Sequence, residues 1–303
     1  MSGKDTEKVK KPETIDVKIA QIIEKEGNFA YLCTAMKEKL TIVKVGGAVV
    51  EDDGQLTQLL HDFTAIEGPK MLVHGGGRRA TAVASQLGIE TRMVEGRRIT
   101  DSDMLQVVTM VYGGLVNKNI VARLQALGAN AIGLTGADAG IIRSVRRPPV
   151  TKEVDGLPVT IDYGFVGDVS GVDGTMLARL VEAGMTPVIA PLTHDGEGHL
   201  LNTNADTMAS ETAKAMAQHY DVTLIFAFEK PGVLRDASDD TSVITTITHA
   251  DFQRYRADGT ISGGMLPKIE NALRAVDAGV GRVVITSATA IDGKHGTVIE
   301  ATV

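Results

Sequence analysis

The chain has 303 residues, of which 43% are hydrophobic, enough for one large α/β domain or two smaller ones. Its formal net charge of -7 excludes the basic surface that holds a phosphate backbone, so we expect no nucleic-acid partner. A single cysteine excludes an intramolecular disulfide framework, and the polar N-terminus and lack of a long apolar run predict a cytoplasmic protein without a membrane span.

The first 40 residues are predicted to form an appendage. Apolar residues recur at helical spacing from about Thr14 to Leu40, with a break near Gly27, and predict a helix or a helix pair. After residue 40, short β-branched runs alternate with helical stretches: strand 41–45, helix near 55–66, strand 70–74 and helix near 77–87. This alternation predicts βαβ units and a largely parallel sheet.

The second half continues the same alternation. A long helical stretch from Asp101 to about Leu127 precedes strands near 131–135 and 140–145, and the glycine-rich segment 155–174 predicts hairpins. The remaining predicted elements are helix 174–184, strand 186–192, helix 206–218, strand 221–228, helix 266–278 and strand 282–286. The fold class predicted by this pattern is α/β.

Four strand ends carry unusual residues, and ligands of open α/β sheets collect beyond the carboxyl ends of the strands. The four segments are Lys44–Gly47, His74–Gly77, Asn202–Asp206 and Gly263–Lys268. The two glycine clusters let backbone N–H groups approach an anion, and a helix after Gly77 adds its positive end. The alternative is that these glycines only make tight strand-to-helix turns.

Two lysines occupy positions that are locally unfavourable for a positive charge. Lys44 interrupts an apolar strand, and a buried ammonium group without a partner is costly. Lys268 follows two glycines and a proline at a helix start, where a cation opposes the helix dipole. Both positions favour a nearby anion. By contrast, Asp206 in a first helical turn fits ordinary dipole chemistry, and Arg97 and Arg98 fit a solvated loop equally well.

A rival interpretation rests on Gly75–Ala80. This stretch satisfies G-x-G-x-x-A between a predicted strand and a predicted helix, with Glu95 about 20 residues further on, as in a dinucleotide-binding oxidoreductase. The pattern is short for a glycine-rich chain, and it leaves Lys44 and Lys268 unexplained. No G-x-x-x-x-G-K-[ST] occurs, so an ordinary P-loop is absent.

Taken together, the motifs resemble the amino-acid kinase family, and within it the N-acetylglutamate kinases. The resemblance runs from about Thr41 to the C-terminus and rests on Lys44-x-Gly46-Gly47, His74-Gly75-Gly76-Gly77, Gly96-Arg97-Arg98-Ile99-Thr100, Leu201–Asp206 and Gly264–Lys268. It implies a three-layer αβα sandwich around a mainly parallel sheet, with a helical extension (1–40), an N-terminal lobe for acyl-glutamate and homodimerisation (41–218), and a C-terminal lobe for ATP (219–303).

The activity implied by the resemblance is a phosphoryl transfer in arginine biosynthesis. ATP, carrying Mg²⁺, would phosphorylate the side-chain carboxylate of N-acetyl-L-glutamate to an acyl phosphate. By position, Lys44 would contact the transferring phosphoryl group and Lys268 the ADP side, while Asp206 would orient both lysines. The implied phosphate-binding residues are Gly46, Gly47, Gly76 and Gly77; the implied substrate-binding residues are Gly76, Gly77, Arg98, Asn202 and Asn204.

The chain departs from the resembled family at Phe226–Val233, where many relatives carry an aspartate. The departure leaves an additional cation, Lys230, which could meet the extra carboxylate of a succinyl group, so N-succinyl-L-glutamate is an alternative substrate. The N-terminal extension also makes a homo-oligomer larger than a dimer an alternative, because arginine-sensitive relatives of the resembled family join dimers into hexamers through such a helix. Residues 291–303 show no clear arginine-site pattern, which favours insensitivity to arginine.

Overall fold

The computed structural model describes residues 37–94, 96–154 and 157–301, and those from Lys39 onward form one compact unit. Most of the predicted N-terminal helical segment, and Glu95 of the rival motif, lie outside the described residues. The predicted segment also runs two residues too far, because Lys39 and Leu40 belong to the first strand. The division into lobes at residues 218 and 219 remains a prediction.

The bounds of the elements agree closely with the predicted alternation. The strands are β1 (Lys39–Val45), β2 (Lys70–His74), β3 (Met93–Val94), β4 (Arg97–Arg98), β5 (Ala131–Leu134), β6 (Ile142–Arg146), β7 (Val150–Val154), β8 (Leu157–Ile161), β9 (Gly167–Val172), β10 (Thr186–Ile189), β11 (Leu192–His194), β12 (Leu200–Asn202), β13 (Asp221–Phe228), β14 (Thr246–Ile247), β15 (Arg282–Ser287) and β16 (Thr297–Ile299). The α-helices are α1 (Gly47–Glu51), α2 (Asp53–Ala65), α3 (Gly77–Gln86), α4 (Ser102–Val108), α5 (Asn117–Ala126), α6 (Gly174–Glu182), α7 (Ala205–Met216), α8 (His249–Ala257) and α9 (Met265–Asp277). A π-helix, Thr109–Val116, joins α4 to α5.

One large sheet forms the middle layer, with the strand order β14-β16-β15-β13-β1-β2-β10-β5. Strand β1 lies between β13 and β2 and is parallel to both, while β15 and β16 pair antiparallel. Successive residues of β1 point to opposite faces, and both Ile42 and Val43 are fully buried. The sheet is therefore covered on both sides.

The two covering layers are distinct sets of helices. Apolar residues of α2, α3, α4, the π-helix and α5 pack with Val43 and Val45 on one face. Those of α6, α7, α8 and α9 pack with Leu40 and Ile42 on the other face. This arrangement confirms the three-layer αβα sandwich around a mainly parallel sheet.

Smaller sheets extend the fold. Strands β12, β11, β6 and β9 form a four-stranded sheet, in which β6 and β9 are antiparallel, and β7 and β8 form a hairpin. Of the hairpins predicted for 155–174, one is found, the β7–β8 hairpin, which begins earlier, at Val150; β9 pairs with β6 instead of forming a second hairpin within the segment. Within the described part of the chain, no helix has the length and hydropathy needed to cross a bilayer.

Several elements differ from the predictions, among them the short strands β3, β4, β14 and β16 and helix α1, which were not predicted. The single long helix predicted for 101–127 is interrupted by the π-helix, and the strand predicted for 186–192 stops at Ile189 and resumes at Leu192. Pro191 explains the second difference, since proline has no N–H for a ladder bond. Helix α8 was not predicted, although Thr248 and Asp251 form a capping box at its start.

The strand order determines where the site lies. Because β13, β1 and β2 are adjacent and parallel, their carboxyl ends meet at one edge of the sheet. That edge brings together the Lys44–Gly47 segment, the His74–Gly77 segment and Phe228.

Candidate active site

Lys44 is a buried cation near the end of β1, with only 6% of its surface exposed. Its Nζ lies 2.6 Å from Oδ1 of Asp206. That carboxylate oxygen makes no well-aligned hydrogen bond within the described residues, so charge attraction rather than hydrogen-bond geometry dominates the pair. Asp206 is therefore the partner that makes a lysine tolerable inside this sheet.

Helix α7 positions the carboxylate. Asn204 caps the helix, because its side-chain Oδ1 accepts a hydrogen bond of 3.0 Å from the backbone N–H of Thr207. Asp206 lies in the first turn, where the helix dipole favours a negative charge. The predicted substrate contact of Asn204 stays a prediction, and the structure gives this side chain a capping role.

Lys268 approaches the same place from the first turn of α9. Its Nζ lies 3.4 Å from the centroid of the Phe228 ring, and Lys44 Nζ lies 4.9 Å from that centroid. Burial lowers the pKa of Lys268, Asp206 and Glu229 oppose this shift, and the charge of Lys44 adds to it. The structure thus brings Lys44, Lys268 and Asp206 together.

Gly47, Gly76 and Gly77 line the larger cavity together with Lys44 and Lys268. A Cβ built on Gly47 would lie 3.8 Å from the amide nitrogens of both Gly76 and Gly77, so the two glycine segments face each other across the ends of β1 and β2. Gly46 differs from the expectation, because its N–H donates to the carbonyl of Ala227 at 3.1 Å. A phosphate could receive that N–H only by displacing or sharing the bond.

Gly76 has a conformation that requires glycine. Its φ is 157° with ψ at 13°, and a Cβ there would lie 3.1 Å from the Tyr112 ring. Tyr112 comes from the π-helix and is almost fully buried; burial raises the pKa of its hydroxyl, which the neighbouring Arg98 opposes. This packing could not be predicted from the sequence, because the π-helix was not predicted.

The glycine segment is also held from behind by His74. Its Nδ1–H donates to the carbonyl of Gly75 at 2.7 Å, and its Nε2 accepts from the side-chain amide of Asn117 at 3.1 Å. The same amide donates to the carbonyl of Val188 at 2.9 Å. Burial lowers the pKa of His74 to about 4, so the ring is neutral at pH 7.

Arg98 is buried beside the glycine segment, with only 7% of its surface exposed. One guanidinium nitrogen, Nη2, donates to the carbonyl of Gly77 and to Oγ1 of Thr81, both at 2.8 Å, and Nη1 donates to Thr91 Oγ1 at 3.2 Å. These contacts fix the orientation of the guanidinium. The alternative of a solvated loop arginine is therefore wrong for Arg98.

Asn202 enters the same region from the end of β12. Its side-chain amide donates to Oγ1 of Thr100 at 3.0 Å, and its backbone N–H donates to the carbonyl of Phe165 at 2.8 Å. Asn202 is 9% exposed. Among the described residues, no N–H donates to its side-chain carbonyl, so this oxygen can accept a hydrogen bond from a ligand N–H.

Two cavities meet at this edge of the sheet. A smaller one of about 180 Å³ is lined by Gly75–Gly77, Arg98, Tyr112, Asn202 and Asn204. A larger one of about 470 Å³ is lined by Lys44, Gly47, Gly75–Gly77, Phe228 and Lys268. The segment Gly75–Gly77 borders both, so ligands in the two cavities would meet beside its amides and the lysine pair.

Lys230 does not lie where the succinyl hypothesis needs it. It lines the larger cavity rather than the cavity of Arg98 and Asn202, and its Nζ lies 2.7 Å from Oδ1 of Asp240, with both side chains largely exposed. The expected additional cation for a succinyl carboxylate is therefore not supplied by Lys230.

Comparisons with known proteins agree with this geometry. The family model described as "Amino acid kinase family" matches residues 39–287. Relatives from Bacteroides fragilis and Bacteroides thetaiotaomicron, both named acetylglutamate kinase, are 63% identical over 265 residues; the matches cover 88% of this chain and 98% and 100% of the relatives. A solved structure from Streptococcus mutans UA159 has a TM-score of 0.67 at 28% identity, covering 86% of this chain and 98% of that chain.

These matches also decide between the two interpretations of the glycine segment. Gly75–Ala80 does join a strand to a helix, as a dinucleotide fingerprint would. The matched family, however, spans β1 to β15 and includes both lysines that the dinucleotide interpretation left unexplained. This chain belongs to the amino acid kinase family.

Proposed function

We propose that the chain is an acetylglutamate kinase, which uses ATP to phosphorylate the side-chain carboxylate of N-acetyl-L-glutamate in arginine biosynthesis. The observation that carries this proposal is the meeting of Lys44, Lys268 and Asp206 where the two cavities join. The relatives that share 63% of their residues with this chain carry the same activity in their name.

The chemistry needs charge neutralisation more than proton transfer. A carboxylate acceptor with a pKa of about 4.3 is already ionised at neutral pH, so no general base is required. The obstacle is repulsion between the carboxylate and the phosphates, about 1 kcal/mol per unit pair at 4 Å in water and about 4 at an effective dielectric of 20. Phosphoryl transfer is accelerated mainly by positioning and electrostatic stabilisation.

The described residues can divide this work between the two cavities. The larger cavity holds ATP, with Lys268 towards the leaving diphosphate and Lys44 towards the transferring phosphoryl group. The amides of Gly47, Gly76 and Gly77 donate to oxygens at the junction. Asp206 holds Lys44 at 2.6 Å and balances part of the charge of both lysines.

The smaller cavity holds the acyl-glutamate. Arg98 presents a fixed guanidinium for a carboxylate, and Asn202 presents a side-chain carbonyl for an amide N–H. An N-acylated glutamate has both groups. The glutamate side chain then reaches the junction beside Gly76 and Gly77.

Mg²⁺ would enter with ATP rather than through a protein cage. Asp206 already faces the ammonium group of Lys44, and Mg²⁺ in kinases is bound largely by substrate phosphates and water. The ion would supply charge neutralisation on the phosphate oxygens. Lys44 and Lys268 supply the rest from the protein side.

An acyl-phosphate assay tests the proposal. Hydroxylamine converts an acyl phosphate to a coloured hydroxamate, and the acceptors to compare are N-acetyl-L-glutamate, N-succinyl-L-glutamate, L-glutamate, L-aspartate and carbamate. We expect ATP-dependent product with N-acetyl-L-glutamate at a kcat/KM at least tenfold above every other acceptor. Preference for the succinyl compound would change the assigned acyl group, and no product with any acceptor would reject the kinase proposal.

A further inference from the structure

The aromatic ring of Phe228 is fixed at the end of β13, at the edge where the site lies. Its carbonyl accepts a hydrogen bond of 2.8 Å from the backbone N–H of Ala288. The ring also stacks on that of Phe226, with centroids 6.1 Å apart and planes inclined by 5°. Strand pairing and stacking together hold the ring in one orientation.

Both site lysines lie close to this one ring. Lys268 Nζ is 3.4 Å from the centroid and Lys44 Nζ is 4.9 Å from it, well within the reach of a cation–π attraction of about 6 Å. The ring belongs to the lining of the larger cavity. Phe228 is therefore placed to attract both ammonium groups at once.

The charges at the site show why a neutral partner suits this position. Two carboxylates already attract the two ammonium groups: Asp206 is in contact with Lys44 and attracts Lys268, and Glu229, which also lines the larger cavity, attracts Lys268. A third carboxylate in place of the Phe228 ring would add to this attraction, but it would also repel the phosphates that the lysines must bind. The face of an aromatic ring attracts cations without carrying a net negative charge.

We propose that Phe228 is a positioning residue that holds the ammonium groups of Lys268 and Lys44 over one aromatic face, ready for the phosphoryl group. The inference rests on the proposed kinase function for its role in turnover. Its structural part, the attraction between ring and lysines, stands on the described contacts alone.

Stepwise fluorination of the ring tests the proposal. Fluorine withdraws electron density from the ring face with little change of shape, so we would replace Phe228 with mono-, tri- and pentafluorophenylalanine. We expect kcat to fall with each step, by about 3- to 30-fold in total, as a cation–π attraction of this class implies. The KM for ATP should change less than kcat. The matched control is the same series at Phe252, a buried phenylalanine of α8 that lines neither cavity and should leave kcat unchanged.

A second measurement does not depend on activity. The pH dependence of Lys268 labelling by an amine-reactive reagent, quantified by mass spectrometry, gives the pKa of its ammonium group. Fluorination at position 228 should lower that pKa further, because the charged form loses its attraction to the ring. Fluorination at position 252 should leave the pKa of Lys268 unchanged.

The outcomes separate the two proposals. An unchanged or higher kcat together with an unchanged labelling curve would overturn the role of Phe228, as would a rise in the KM for ATP alone, which would indicate that the ring stacks on the nucleotide. If the labelling curve shifts as expected but the unsubstituted protein makes no acyl phosphate, the kinase proposal fails while the attraction between ring and lysines is supported.

Discussion

The ion pair of Lys44 and Asp206 makes the first prediction at the scale of single residues. Lys44→Met or Lys268→Met should each lower kcat by about 10²-fold or more, as for loss of a group that stabilises the transition state. The acyl-hydroxamate assay measures this loss, and circular dichroism checks that each variant is folded. Lys214→Met is the control, because Lys214 pairs with Glu211 on the same helix as Asp206. A wild-type rate in both site variants would show that the site lies elsewhere.

The second prediction at this scale concerns the contribution of Gly76 to stability. Gly76→Ala should lower the free energy of unfolding by about 1 to 3 kcal/mol, because alanine is strained at φ 157° and its Cβ would press on Tyr112. Urea unfolding at pH 7 measures the change. Gly114→Ala is the control, since a Cβ there meets nothing within 4 Å and alanine favours a helical backbone. Equal stability of the two variants would contradict the requirement for glycine at position 76.

His74 makes a prediction about pH. Its pKa of about 4 in the folded protein lies below the unfolded value of about 6.5, so between these pH values only the unfolded chain binds the proton. The contribution of neutral His74 to the free energy of unfolding is fully present above about pH 6.5. About 3 kcal/mol of it should be lost as the pH falls to about 4. His74→Gln should flatten the profile of unfolding free energy in this window, whereas His61→Gln, at an exposed histidine, should not. Parallel profiles for wild type and His74→Gln would refute the buried neutral imidazole.

At the scale of secondary-structure elements, the capping box of α8 gives a prediction about the free energy of unfolding. Thr248→Ala should lower the unfolding free energy by about 1 kcal/mol, because the side chains of Thr248 and Asp251 satisfy backbone N–H groups at the helix start. Thr248→Ser keeps the oxygen and should be near wild type. Thermal unfolding measures both, and equal stability of Thr248→Ala and the wild type would contradict the contribution of the capping box.

Some secondary-structure elements could be predicted from the sequence and others could not. The βαβ alternation could be predicted because its strands are short β-branched runs and its helices have an apolar stripe, and both are local patterns. The π-helix could not be predicted, because nothing in the local periodicity of 101–127 marks a change of helical type. Tyr112 and Asn117, which support the glycine segment, depend on it and were missed for that reason.

The convergence of the site depends on a feature that no local pattern encodes. Lys44 and Lys268 are recognisable in the sequence as cations in unfavourable places, and the glycine clusters as possible anion contacts. Their meeting depends on the placement of β1 between β13 and β2, a matter of strand order. Only the family resemblance anticipated the meeting. The engagement of the Gly46 amide with Ala227 was not anticipated by either route.

At the scale of the whole molecule, we propose a cytoplasmic homodimer, as the resemblance to the family implies. Light scattering of the purified protein should give about twice the chain mass of 32.0 kDa. Addition of arginine should change neither this mass nor the rate of acyl-phosphate formation. A hexamer whose activity falls with arginine would overturn the expected insensitivity.

The shared wall of the two cavities has a consequence for how the substrates bind. Gly75–Gly77 borders both cavities, and its backbone is held by His74 on one side and by Arg98 on the other. A ligand that orders these peptide groups from one cavity also orders them for the other, and such coupling is reciprocal. The nucleotide and the amino acid would then bind cooperatively, and each would raise the affinity of the protein for the other by the same factor.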